Sequence, residues 1–296
     1  MPRDTIGRAS IHSWKVRTTM ANSFKIGDLE VLVLSDGTAK VPGTFYFAGT
    51  TKEQWDRHQR WQDHEGNVEF QFSSFIVSSN GRRVLVDTGL GDVQWGPMRG
   101  GALLGEMAAV GVEPEDIDVV FVTHLHFDHA GACVQAKGDQ ARPTFPNAVY
   151  RWSANENKFW TSEAAANDPV RDVFSQKNML ATLGERFEAA EDGDAIAPGV
   201  NVIATPGHTP GHTGAVLSSG TERAFILGDT IACPVQLEEP EWSGLGDMDP
   251  KLARKTQEAV ASEIEASGAL LATAHFPGLT FGRVLRGEGR RYWSPL

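Results

Sequence analysis

Cysteine is scarce. Two residues in 296, Cys133 and Cys233, are too few for a disulfide framework, and neither belongs to a C-x-x-C pair. Two free thiols in a reducing, cytoplasmic setting are therefore expected. No window approaches the roughly 18 consecutive apolar residues of a membrane span. The N-terminal residues Met1 to Arg8 are charged and lack the apolar core of a secretory signal. A membrane role is not expected. Runs of Lys and Arg are also missing: 27 basic residues face 38 acidic ones, for a net charge of −11. A nucleic-acid binder needs a cationic footprint for phosphates, so that class is set aside as well. The densest acidic stretch, 236–241, is loop-like and reads as a solvated surface.

What is present suits a soluble globular protein. Hydrophobic residues make up 41% and charged residues 22%, enough to bury a sizeable core. Residues 1–20 are polar and aperiodic and are expected to form an N-terminal arm or tail. A single domain is expected over 21–296, since no repeat or low-complexity linker divides it. Strand patterns fall at 29–34, 70–77, 83–86, 117–122, 148–152, 200–204, 215–217, 224–227 and 270–274. Helical spacing covers 103–110 and 251–266, and 154–190 reads as largely helical. The stretch 41–67 is irregular and rich in aromatics. Strands alternating with helices predict an α/β domain with sheets inside and helices outside.

Three of the nine histidines fall in Thr123-His-Leu-His-Phe-Asp-His-Ala-Gly131, on the loop that leaves strand 117–122. In extended chain His124 and His126 point to the same side and can share one cation. Asp128 and His129 are adjacent, which suits ligands aimed at a second cation. Two imidazoles do not complete a zinc site, so further ligands must come from other strand ends. His208, Asp229 and His275 each follow an apolar strand within a few residues. His212 competes with His208 but lies farther from its strand, so it is expected to stand behind a ligand. Asp87, after strand 83–86, is expected to accept a hydrogen bond from a ligand histidine. His12, His58 and His64 stand alone and read as surface or satisfied core residues.

The set His124-x-His126-x-Asp128-His129, His208, Asp229 and His275, with Asp87-Thr-Gly89 upstream, resembles the hydrolase branch of the metallo-β-lactamase superfamily. The resemblance runs from about Leu29 to Trp293. It is closest to the group of methyl parathion hydrolase and the acyl-homoserine lactonases, through Gly228 to Gln236, Ala274 to Gly278 and the tail. It implies an αββα sandwich with a dinuclear metal site at the sheet edges. His124, His126 and His208 would then hold one ion, Asp128, His129 and His275 the other, and Asp229 would bridge. Two divalent ions are implied, zinc first, although Mn, Fe or Co also suit N/O ligands. Cys133 and Cys233 each lie four residues beyond a ligand, but the seven-residue set is complete without them.

The implied activity is hydrolysis of a small-molecule ester or lactone by metal-bound hydroxide, with phosphotriester hydrolysis as a side activity. Asp128 and Asp229 would carry the catalytic role, and Asp128 or the bridging position would handle the proton. Lactonases of this group carry a tyrosine three positions after the bridging aspartate, where this chain has Ala232. Redox relatives carry Glu where His126 stands, which favours a hydrolase. Two rivals remain: a lactamase, against which the bridging Asp229 argues, and a non-catalytic metal-binding or signalling protein. Trp152, Phe159 and Trp160 are expected at the substrate pocket, with Phe45, Tyr46, Phe47 and Trp55 as further aromatics. The resemblance allows a homodimer with 41–67 as its surface, or the same stretch as a lid.

Overall fold

Apolar residues on consecutive strand positions signal burial on both faces of a sheet, and the central strands here show that pattern. Val119 and Phe121 point to one side, Val120 and Val122 to the other. Val84 and Val86 likewise oppose Leu85, and Ala215 and Leu217 oppose Val216. Two sheets therefore stack through one set of side chains and carry helices on the other. The computed structural model describes residues 22–137, 140–166 and 176–296. The arm expected over residues 1–20 lies outside them.

Among the described residues the first sheet has nine strands. Long antiparallel partners Leu29–Pro42 and Asn67–Ser79 lead into the parallel strands Arg82–Val86, Val119–Phe121, Val149–Trp152 and Phe187–Ala189. The second sheet has seven strands, with Glu222–Ile226 parallel to Leu270–Ala272 at its centre. Val31, Val33, Phe75, Val84, Phe121, Val202, Leu217 and Ile226 fill the space between the sheets. Each such side chain contributes roughly 1.5–3 kcal/mol by burial. The helices Leu103–Ala109 and Gln176–Leu183 cover the outside of the first sheet, and Pro250–Ser267 covers the second. This is the four-layer αββα sandwich. No helix among the described residues is long and apolar enough to cross a membrane.

Some expectations need correction. The strand expected at 29–34 continues to Pro42, so part of the irregular 41–67 stretch belongs to a hairpin. The rest forms short helical turns whose Phe47 and Trp55 are buried against Trp242 and Phe70. The segment 154–190 is broken into Ala154–Trp160, Glu163–Ala166 and Gln176–Leu183, and it ends in strand Phe187–Ala189; residues 167–175 lie outside the description. The C-terminal region adds the hairpin Gly282–Gly287 and Arg290–Pro295, which its four arginines conceal.

Helix Pro250–Ser267 starts on Asp249, which accepts from Lys251 and Leu252 N–H, and stops at left-handed Gly268. Arg286 and Arg291 of the last hairpin bind its Glu265, and Arg291 also binds Glu258. Hydrogen bonds from the two arginines hold the Glu265 carboxyl at about 2. The sign follows from linkage: the folded value lies below the ordinary 4.5, so the stabilisation is present above that pH and lost as pH falls toward 2. Thermal unfolding of Arg291→Gln beside the parent should show a constant deficit from neutral pH to about 5. That deficit should shrink toward zero below pH 3; a deficit independent of pH would contradict this account.

Candidate metal centre

The two sheets deliver their chemistry at one edge, beyond the carboxyl ends of the parallel strands, where open α/β sheets place ligands. In the loop after Val119–Phe121, Leu125 is buried in the core, so His124 and His126 face the opposite way. The backbone then bends into the helical turn Phe127–Ala130, which swings Asp128 and His129 to a new direction. From the second sheet, His208 comes from the loop after Val200–Ala204, Asp229 from the loop after Glu222–Ile226, and His275 from beyond Leu270–Ala272. Gly228 takes φ +43, and a Cβ there would lie 2.5 Å from Thr123 Oγ1. A glycine is what lets Asp229 approach the first sheet so closely.

Two groups result. His124 Nε2 and His208 Nε2 each lie 3.0 Å from His126 Nδ1. His129 Nε2 lies 3.3 Å from His275 Nε2, and His275 Nε2 lies 3.5 Å from Asp128 Oδ2. Asp229 stands between them. Its Oδ2 is 3.3 Å from His208 Nε2, while its Oδ1 is 2.9 Å from His275 Nε2 and 3.1 Å from His129 Nε2. Ligand atoms of His124, His126, His208 and Asp229 fall within 4.8 Å of one another, and those of Asp128, His129 and His275 form a second such set. Cys133 and Cys233 join neither set; both are free and buried, and burial pushes both thiols up to about 12.

The ring nitrogens facing away from the centre fix the tautomers. His208 Nδ1 meets Asp247 Oδ1 at 3.0 Å, His129 Nδ1 meets Asp87 Oδ2 at 2.8 Å, and His275 Nδ1 meets the Gln71 carbonyl at 2.6 Å. Thr123 Oγ1 donates to Asp87 and so can accept from His124 Nδ1 at 3.2 Å. With the protons held at the back, the Nε2 lone pairs of His124, His129, His208 and His275 converge on the centre, and His126 presents Nδ1. That arrangement is repulsive unless positive charge sits among them, and Asp229 Oδ1 is buried without a hydrogen bond. The donor set of imidazole nitrogen and carboxylate oxygen suits zinc and other divalent ions.

Electrostatics agree. Burial holds His124 and His126 well below the usual imidazole range, as neutral ligands require. Burial opposes charge on His129 too, but Asp229, Asp87 and Asp128 outweigh it and hold that ring well above its ordinary value. Burial likewise opposes the Asp229 carboxylate, yet His275, His129 and His208 hold it well below the usual range. The site is built to hold positive charge.

Supporting residues divide into those the sequence pointed to and those it did not. Asp87 takes the Thr123 N–H as well as His129, so it ties the ligand loop to the neighbouring strand. His212 Nε2 accepts the Asp229 N–H at 3.0 Å, leaving Nδ1 to donate to Thr205 Oγ1 at 2.8 Å. It orients Asp229 and has no nitrogen left for a metal. Sequence reasoning missed Asp247, Glu156 and Asp36. Glu156 is fully buried and accepts from Leu125 N, Trp160 Nε1, Thr209 Oγ1 and Gly211 N, which joins the two ligand loops. Asp36 accepts from Leu90, Gly91, Gly101 and Leu103 N–H and fixes the loop after Asp87. His58, one of the isolated histidines, is buried between Glu238 and Glu239.

A cavity of about 900 Å³ opens onto His126, Asp128, His208, Asp229 and His275. Its walls are apolar, with Phe70, Phe72 and Met98 inside and Phe45, Trp95, Leu245 and Met248 exposed at the mouth. Trp152, Phe159 and Trp160 do not line it, which corrects the expected pocket. Trp152 and Trp160 are buried in the outer core and Phe159 packs against it, because Trp152 points to the helix side of the first sheet and helix Ala154–Trp160 packs there. Tyr46 does reach the cavity. Burial, then the charges of Asp229, Asp247 and Asp128, hold its phenol well above the ordinary value, so it is an O–H donor.

A sequence profile of the metallo-beta-lactamase superfamily matches residues 66–275. An N-acyl homoserine lactonase from Bacillus thuringiensis is 29% identical over 158 residues, which are 52% of this chain and 55% of that protein. The N-acyl homoserine lactonase AttM of Rhizobium radiobacter is 23% identical over 203 residues, or 61% of this chain and 72% of that one. The chain thus spans about half the length of the Bacillus relative it matches. Among solved structures, the dizinc quorum-quenching lactonase AidC superposes with a TM-score of 0.84 at 22% identity, covering 93% of this chain and 97% of that one. The hydrolase AbOPH of the beta lactamase superfamily gives 0.81 at 25% identity, with the same coverage.

Proposed function

The chain belongs to the metallo-beta-lactamase superfamily, and from that premise we propose that it is a dinuclear metal-dependent hydrolase that cleaves a neutral, largely apolar ester or lactone. One observation carries the reading: Asp229 presents one oxygen to each of two ligand groups, with Oδ2 toward His208 and Oδ1 toward His129 and His275. His124, His126 and His208 would hold one ion, Asp128, His129 and His275 the other, with Asp229 shared. Zinc is the ion proposed, and the cytoplasm the compartment. Bound divalent ions supply Lewis acidity, acidifying a water and polarising the carbonyl it attacks. The chain does the rest. Asp87, Asp247 and the Gln71 carbonyl orient the imidazoles. Asp128 is the most exposed of the ligand carboxylates and faces the cavity, so it is placed to take the proton released on attack.

The walls select the substrate. The cavity suits a drug-sized apolar group, and its described lining includes Asp128, Asp229 and Asp247 but neither Lys nor Arg. Away from the proposed ions, an anionic substrate finds no cationic side chain among the described lining residues. This argues against a penicillin carboxylate, hence against the lactamase reading, and favours uncharged aryl esters, lactones and phosphotriesters. The test is proton release on a pH-stat with those three classes and a penicillin, using chelated and zinc-refilled protein. We expect zinc-dependent release from an uncharged ester or lactone, at least about 100-fold faster in kcat/KM than from the penicillin, a gap of about 2.7 kcal/mol. No metal-dependent release from any of them, or a preference for the penicillin, would overturn the proposal.

A further inference from the structure

Among the described cavity-lining side chains, beyond the candidate ligands and Asp247, only Tyr46 and the exposed indole of Trp95 carry a polar hydrogen. The Tyr46 ring is fixed by Phe70 at 4.4 Å and Phe47 at 4.9 Å between centroids. A Cβ added to Gly244 would lie 3.1 Å from its hydroxyl oxygen, so the phenol tip rests beside a glycine that leaves room for it. Gly244 opens the loop whose Asp247 binds His208. The hydroxyl makes no hydrogen bond to any described residue, although it lies at a largely apolar wall where such a donor wants a partner. Ala232, at the position where the resemblance led us to look for a phenol, is buried in the aromatic cluster that Tyr46 packs against. It offers no polar group to the cavity.

We propose that Tyr46 is a catalytic residue, whose O–H donates a hydrogen bond to the carbonyl oxygen of the substrate as negative charge develops there. The inference rests on the hydrolase reading above. In the step concerned, the water oxygen forms a bond to the carbonyl carbon, the π pair moves onto the carbonyl oxygen, and the water proton passes to a site carboxylate. The Tyr46 proton stays on Tyr46. Collapse then re-forms the carbonyl and breaks the bond to the leaving oxygen, which takes up the proton. A preorganised donor aimed at such an oxygen is worth most in the transition state, so its loss should reach kcat rather than KM.

Tyr46→Phe keeps the ring and removes the donor. We expect kcat to fall about 10- to 100-fold, less than for a lone oxyanion donor because bound cations share the charge. KM and zinc content should stay unchanged. Calorimetry on the zinc-loaded protein gives a second readout that needs no turnover. Phenylboronic acid, which becomes a tetrahedral anion in a hydrolase site, should bind the variant about 10-fold more weakly, while neutral acetophenone should bind both proteins alike. The chain has three tyrosines, so uniform 3-fluorotyrosine labelling offers a third readout in the unmutated protein. One fluorine resonance, assigned by its loss in Tyr46→Phe, should move on boronate binding. Equal boronate affinity with an unmoved resonance would overturn the proposal, and so would equal losses for both ligands, which mark a packing role. If no ester is turned over by the parent, the hydrolase reading fails and the boronate measurements still decide whether Tyr46 meets an anionic oxygen.

Discussion

Asp229→Asn is expected to reduce bound zinc from two ions per chain toward one and to lower kcat/KM on an uncharged ester by at least about 10³-fold. The size follows from charge. A bridging carboxylate offsets positive charge on both sides of the centre, and a neutral amide leaves two cations facing each other across one weak ligand. Metal-assisted catalysis contributes several kcal/mol of transition-state stabilisation, and each 1.36 kcal/mol is about tenfold in rate. The substitution is nearly isosteric and removes only a charge. The backbone N–H of residue 229 still reaches His212 Nε2, so the loop keeps its place. Metal analysis after zinc loading, paired with steady-state rates, checks both parts. Two retained ions with a rate within tenfold of the parent would remove Asp229 from the role assigned to it.

The second large effect is on stability, and it lies one step behind the site. Glu156→Gln should destabilise the fold by about 2–6 kcal/mol, at about 1–3 kcal/mol for each of the two buried donors it leaves unsatisfied. In a chain of this size that is roughly 10 °C in unfolding temperature. The geometry explains why so mild a change costs so much. Both Glu156 oxygens accept two donors each: Leu125 N and Trp160 Nε1 on Oε1, Thr209 Oγ1 and Gly211 N on Oε2. Glutamine keeps one oxygen and presents an amide N–H₂ where the other stood, so two donors meet a third. These contacts hold the loop of His124 and His126 against the loop of His208, so zinc affinity should fall as well, by about 10- to 100-fold. Thermal unfolding of the metal-free protein isolates the first effect, and competition with a chelator measures the second. An unfolding temperature within about 2 °C of the parent would refute the structural role.

Glu156 also shows where sequence reading runs out. It sits three residues after Ser153 at a helix start, the spacing of a capping box, and Ser153 does accept the Glu156 N–H. The Glu156 side chain ignores the cap and turns into the core, because three donors from distant loops and the Trp160 indole one turn on outweigh one local N–H. Nothing in the local pattern announces that. Asp247 is similar: it lies in a Gly-rich loop and gains its role only when folding brings His208 to it. The loops that bring His124, His126, His208 and Asp229 into one group were legible for the opposite reason. Their chemistry is carried by residue type and by position at strand ends, and Leu125 between His124 and His126 sets the facing by simple alternation. His212 and Asp87 could be placed behind the histidine cluster, but only the fold decides which atoms they hold. The central strands were legible from their double-sided apolar runs. The hairpin at Gly282–Gly287 and Arg290–Pro295 was not, since its arginines answer glutamates on a helix distant in sequence. The pocket misled for a physical reason as well: Trp152 and Trp160 are large and close to the motif, yet their elements turn them into the core.

The proposed hydrolase requires that the seven residues from His124 to His275 form a centre for two divalent ions. Metal stoichiometry tests it most directly. Protein stripped with chelator, reloaded with excess zinc at neutral pH and passed through a desalting column should retain two ions per chain by elemental analysis. One retained ion, or none, from a folded and monodisperse sample would contradict it.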